Sequence, residues 1–273
     1  MISVAGLSTG LALRIVDATA DKEHAMIPDE AEHKRAIDYF MENIEKVESV
    51  DDLVGDYQLY SFVMKAYDLE DQIFGKAMMK KVLQSDINDR GALVNRLTDD
   101  RFETLYNAMG FSDGGKANSN TSDDDWKAKI VAAYVDTTYV NAKSEDNEAL
   151  GTVLEFRRKA AEVRTVFDLL KDRDLAEFAR TALGLPDAIA GGDIDKQAQL
   201  IASRIEIGRL GDPEYVESLV QKYVAITDAT ADFSSTNAAI QLMNSAASGA
   251  SGSFVPVTID IQAIQGFSGY RTR

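Results

Sequence analysis

The sequence predicts a mostly α-helical protein built from two related helical modules, with flexible termini. Three observations predict it. Apolar residues recur at steps of three and four, as in Leu53, Tyr57, Tyr60, Met64 and Tyr67, the spacing that lines one face of an α-helix. Strand-like alternation is nearly absent before residue 254. One helical stretch is also written twice: residues 50–73 and 166–189 agree at ten of 24 aligned positions, 116 residues apart.

Taken in order, residues 1–29 are weakly patterned, with Leu7, Leu11 and Ile15 at i, i+4 spacing. They are expected to be weakly ordered, and helical only if something packs on them. Residues 30–110 form the first module, with helices expected at about 30–46, 50–67, 70–84 and 89–108. Ser49 with Asp52 three positions on is a capping-box pattern. Residues 111–162 hold a loop, "FSDGGKANSNTSDD", and connecting helices at about 122–142 and 146–164. Ser122 is read as the cap of the first of these.

The second module, residues 163–227, has helices expected at about 166–183, 193–208 and 213–227. Thr165 and Asp168 repeat the capping box, Gly184 and Pro186 mark a helix end, and Asp212-Pro213 opens the last helix. The aligned pairs include Asp56/Asp172, Leu59/Leu175, Phe62/Phe178 and Leu69/Leu185, with Arg96 falling opposite Arg204. Shared caps and helix ends are harder to obtain from periodicity alone than shared apolar positions, so an internal duplication is the reading, each module burying its apolar face against its copy. Asp56 with Arg96 and Asp172 with Arg204 are expected to form equivalent ion pairs.

Residues 228–273 read as a linker and tail. The run at 244–253 is rich in small residues, and in 254–267 Val257, Ile259 and Ile261 alternate with Thr258, Asp260 and Gln262, a strand pattern. A lone strand lacks partners for its amides and its apolar face. Val257, Ile259 and Ile261 are therefore the candidate partner-binding residues: the tail either folds back into a groove of the helical body or, the favoured reading, adds as a strand to another chain.

Composition narrows the function. An apolar content of 45% can supply a full core. With 29 basic against 45 acidic residues the net charge is −16. That disfavours nucleic acid and anionic lipid and suits a partner with a basic surface. The absence of cysteine removes disulfides, thiolate metal centres and a cysteine nucleophile. The longest strongly apolar run, residues 130–135, is too short to span a bilayer, and no apolar run near the N-terminus suits a secretory signal.

No constellation assigns a catalytic, cofactor-binding or metal-binding residue. His24 and His33 are nine positions apart without an evident third ligand and read as solvent-facing. "SDGGKA" at 112–117 lacks the leading glycine and the Ser/Thr of a phosphate loop, and "DINDRG" at 86–91 lacks ligand oxygens where a calcium loop needs them; both read as turns. Acidic clusters at Asp51/Asp52, Asp99/Asp100, 123–125 and Glu145/Asp146 read as helix caps and solubilising charge. Arg157, Arg158 and Lys159 read as a solvated face. Tyr57, Tyr60, Phe62, Tyr67, Phe74 and Phe102 are expected in the core.

The stretches "VESVDDLVGDYQLYSFVMKAYDLEDQI", "KKVLQSD" and "NRLTDDRFETLYNAMGF", followed by "EFRRKAAEV", "ARTALGLPDAI", "DIDKQAQL" and "GDPEYVESLVQKYV", resemble a family of alphaproteobacterial proteins, DUF1217, over most of residues 36–226. Some genes of that family lie among flagellar genes. The resemblance implies a non-enzymatic, flagellum-associated role in assembly, export or structure, with flagellar components as protein partners, and it assigns no site residue. A cytoplasmic adaptor or chaperone for another protein is the alternative, and an enzyme with an unrecognised carboxylate site a further one. The chain is expected in the cytoplasm, or exported to the flagellum without a cleavable signal. The oligomeric state is left open.

Overall fold

Most of the longer helices open where the sequence supplies an oxygen for their first amides. The structure, a computed structural model, describes residues 1–230. Helix α1 (Thr9–Met26) is capped by Ser8, whose hydroxyl accepts from the Leu11 amide. It leads through a 3-10 turn into α2 (Ala31–Asn43). Then come α3 (Val50–Gly55) and α4 (Tyr57–Ala66), α5 (Lys76–Leu83), α6 (Leu93–Arg96) and α7 (Arg101–Met109). The long α8 (Asp124–Asp146) is capped by Asp123 rather than Ser122, and α9 (Glu148–Lys159) by Asn147. The remainder is α10 (Val166–Lys171), α11 (Arg173–Ala182), α12 (Ile194–Ala202) and α13 (Pro213–Thr230). The fold is mostly α; the described residues hold no strand, only an isolated bridge between Ser112 and Ala117. Residues 231–273, with the linker, the strand pattern and Val257, Ile259 and Ile261, lie outside the described residues.

The single helices expected at 50–67 and 166–183 are each two. Ser49 and Thr165 both make complete capping boxes with Asp52 and Asp168. Seven residues after each cap Asp56 and Asp172 break the helix, because their carboxylates accept from the amides two and three positions on and start a second one. The elements keep the offset of the aligned stretches: α3 and α10 have 6 residues each, α4 and α11 have 10 each. The 3-10 turns Ile44–Lys46 and Ala160–Glu162 stand in the same relation ahead of them.

The core repeats this relation. Phe62 stacks between Phe40 of α2 at 4.5 Å and Tyr134 of α8 at 4.3 Å. Phe178 stacks between Phe156 of α9 at 3.6 Å and Tyr223 of α13 at 4.8 Å. Leu59, Phe62, Leu69, Leu175 and Phe178 are all buried, with Leu185 packed at the margin. Trp126 leans on Phe40 and donates from Nε1 to the Ala108 carbonyl at 2.7 Å. Met1–Asp228 gathers as one unit, so the two modules are not separate bodies.

Expectations for the N-terminal segment, for two aromatic residues and for two ion pairs are corrected. Residues 1–29 are not weakly ordered but carry α1, held from outside its own sequence. Lys143, 1% exposed, pairs with Glu23 at 2.6 Å and donates to the Ile2 carbonyl at 2.7 Å. Asp146 accepts from the Val4 amide, and Asp228 accepts from the Thr9 and Gly10 amides at 2.7 and 2.9 Å. Tyr57 and Phe74 are not core: they are 57% and 93% exposed, since the chain breaks at Asp56 and again around Gly75 and turns them outward. The ion pairs expected for Asp56 and Asp172 with arginines do not form either. Asp56 accepts from the Tyr39 hydroxyl, Asp172 from Lys159, and Arg204 donates to the Leu183 carbonyl.

Candidate functional site

Where α4 ends, the chain reverses through Asp68 at φ 54°, and the Leu69 amide closes the turn on the Met64 carbonyl at 2.8 Å. The matching position after α11 is Gly184 at φ 62°, with the Leu185 amide on the Arg180 carbonyl at 2.9 Å. Glycine takes this left-handed conformation freely; an L-residue is strained by about 1–2 kcal/mol, least for Asp and Asn. At Asp68 the side chain is used. Its carboxylate accepts from Asn141 Nδ2 at 3.1 Å and Arg101 Nη1 at 3.2 Å, and Arg101 also donates to its carbonyl.

Arg101 opens α7 and is held by a second carboxylate, Asp99, at 2.8 Å, with Asp71 at 3.9 Å. Burial alone would push the Asp99 carboxyl up, but the Arg101 hydrogen bonds and charge outweigh it and hold it below its ordinary value. Across the groove, Lys159 at the end of α9 reaches Asp172 at 2.5 Å and Glu155 at 3.6 Å, and Arg158 also grips Glu155 at 2.7 Å. Burial would depress the Lys159 ammonium; Glu155 and Asp172 hold it raised and charged.

Other lining carboxylates stand apart from these pairs, Asp100 and Asp174 among them. Asp100 and Asp174 make no side-chain hydrogen bond or ion pair to another described residue. Burial first, then neighbouring carboxylates, push both carboxyls up, against the pull of Lys159. The groove comprises three adjoining cavities of about 610, 480 and 220 Å³, and Asp68 lines all of them. The largest carries five acidic and five basic side chains. The smallest, between α8, α9 and α11, carries Asp68, Glu148, Glu155, Asp174 and Glu177 against Arg173 alone. The arrangement can recognise charge, and at its small end positive charge.

The sequence candidates fall differently. His33 is not solvent-facing: it is buried, with Nδ1 2.9 Å from the Tyr134 hydroxyl. His24 lies half-buried, edge-on to Tyr139 at 4.1 Å. Arg157, Arg158 and Lys159 are not a solvated face but an ion-pair hub, Arg157 bridging Asp17 and Glu217 at 2.6 Å each. Asp52, Asp123 and Asp168 cap helices. The runs at 86–91 and 112–117 fold as turns; Gly115 at φ 83° presses on Val50, where an added Cβ would meet its side chain at 2.7 Å. Among the described residues no group of three or more His, Asp or Glu side chains gathers as a metal site, and no helix is long and apolar enough to cross a membrane. Sequence reasoning missed the groove. Its only local signal is Arg101 beside Asp99 and Asp100; Lys159 and Asp172 meet across 13 positions that follow no periodicity.

Fold and groove together define a mostly α protein with a charged groove between its helices. The chain belongs to the DUF1217 family: the family model described as "Protein of unknown function (DUF1217)" matches residues 66–216. A crystal structure of a structural-genomics target protein from Agrobacterium tumefaciens is similar at 30% identity and a TM-score of 0.73, over 84% of this chain and 96% of that one. Comparison with curated proteins finds no match.

Proposed function

We propose that the protein is a non-enzymatic binding protein that acts through protein–protein contacts in flagellar assembly, export or structure. The observation that carries the binding part is the groove at Asp68. Arg101, Arg158 and Lys159 are held in place by Asp68, Asp99, Glu155 and Asp172, while Asp100 and Asp174 line the open volume without an ion-pair partner of their own, as expected of a surface organised for recognition. The flagellar part rests on the family resemblance and its gene neighbourhoods. The deciding experiment is a deletion strain scored for swimming and for filaments. Lost motility with filaments missing or altered is the expected result; normal swimming with normal filaments overturns the flagellar role. The groove also favours a second reading, a cytoplasmic adaptor that holds a segment of a client protein. Fractionation separates the two: the protein in purified filaments or in the medium marks a component, and strictly cytoplasmic protein bound to one exported client marks an adaptor.

A further inference from the structure

The small acidic end of the groove is where the two signs of charge are least balanced. Of its five carboxylates, Asp68 is engaged by Arg101 and Asn141, and Glu155 by Arg158 and Lys159. Glu148, Asp174 and Glu177 remain, and none of their carboxylates has a hydrogen-bond or ion-pair partner among the described residues. Only Arg173 offsets them in the lining. The volume, about 220 Å³, is below the roughly 300–1,000 Å³ of small-molecule sites and suits one long side chain. It adjoins the 480 Å³ cavity through Asp68, Arg173 and Asp174, and that cavity adjoins the 610 Å³ one. Charge changes along this line, from five of each sign at the wide end to five against one at the narrow end.

We propose that the narrow end receives a lysine or arginine side chain of a partner polypeptide, whose neighbouring residues run along the two wider cavities. This rests on the binding reading above and adds the polarity of what is bound. Asp174 and Glu177 lie three apart on α11, so their carboxylates sit on one face of that helix. Glu148 opens α9 on another wall. Three unpaired acids lining one small cavity from two helices suit a long side chain ending in an ammonium or guanidinium better than a neutral group. The raised Asp174 carboxyl agrees: its neighbours Asp172, Glu155 and Glu177 crowd it with negative charge after burial has taken its share, and an arriving cation relieves that crowding. The chain's net charge of −16 adds long-range attraction for a basic partner, but it acts over the whole surface and does not select this site.

The test is an amide-shift NMR titration of the full chain at low salt with three probes: acetyl-Ala-Ala-Arg-Ala-Ala-amide, its citrulline counterpart and its glutamate counterpart. The arginine peptide is expected to give saturable shifts centred on Asn141, Gly151 and Glu177, and the other two are not. Asp174→Asn with Glu177→Gln is expected to weaken binding about ten-fold. Asp21→Asn with Glu42→Gln, an equal charge change at exposed positions, is expected to change it less than about two-fold. Glu177→Lys alone, read with the protein's circular dichroism unchanged, is expected to abolish the shifts. Equal losses in the two double variants, shifts centred elsewhere, or equal binding of the citrulline peptide would each overturn the proposal. These results are independent of the swimming assay. Normal motility would remove the flagellar role without touching the titration, and a failed titration would leave the motility result intact.

Discussion

Phe62 and Phe178 stand 116 residues apart, and each is the middle ring of a three-ring stack. The outer rings are Phe40 and Tyr134 for one, Phe156 and Tyr223 for the other. Phe40 and Phe156 are themselves 116 apart. The doubled pattern thus reaches back into α2 and α9, before the stretch where sequence identity is dense.

Each central ring is at most 4% exposed and has stacking partners on both faces. Phe62→Ala and Phe178→Ala are each expected to cost about 3–5 kcal/mol. Urea unfolding of the two variants measures this. A loss below about 1 kcal/mol in either would remove that stack from the set of core supports.

The pairing of Lys143 with Glu23 is buried at both ends, 1% and 4% exposed. Breaking such a pair leaves an uncompensated charge and costs about 3–5 kcal/mol. Glu23→Leu alone is expected to reach that range, and Glu23→Leu with Lys143→Met to recover most of it. The double variant's unfolding midpoint is the measurement. Recovery of less than a third of the loss would mean the charges do more than neutralise each other.

Asp68 and Gly184 share a left-handed backbone but not a role. Gly184→Val and Asp68→Val are both expected to destabilise, by about 1–3 kcal/mol. Asp68→Gly separates the two contributions. It relaxes the backbone but frees Arg101 and Asn141, and it is expected to be the mildest change at that position for stability. The arginine-peptide titration should nevertheless change with it, since Asp68 lines every part of the groove.

Burial pushes the hydroxyls of Tyr60, Tyr67, Tyr134 and Tyr139 from 10.0 up to about 12. The unfolded chain releases these protons near its ordinary value of about 10. Their contribution to stability is therefore complete below about pH 10 and is lost as pH rises toward 12. Alkaline titration of tyrosinate absorbance should show a late class of tyrosines titrating together with loss of helical circular dichroism. Smooth titration of all tyrosines near pH 10 in a still-folded chain would contradict the burial.

What could be read in advance follows from distance along the chain. Helical class and most helix starts were legible, because caps and apolar spacing are local: Ser49, Thr165 and Pro213 all act where they stand. Asp56 and Asp172 were legible as a pair but not as breaks, since an N-cap aspartate inside an apolar rhythm resembles a surface position. Helix α1 was not legible, because what orders it comes from Lys143, Asp146 and Asp228. The groove stayed hidden for the same reason. Arg157, Arg158 and Lys159 cover more than one face of α9, and only their distant partners turn that run from solvent into an ion-pair hub.

The carboxylate that receives the first amides of α1 sets an order of events during synthesis. Thr9 leaves the ribosome 219 residues before Asp228. At about 5–20 residues per second that is a wait of roughly 10–45 seconds. Through it the Thr9 and Gly10 amides lack their native acceptor, although Lys143 and Asp146 are made earlier and hold Glu23 and Val4. The opening of α1 is thus completed only late in synthesis, and until then its first amides are open to capture by a chaperone.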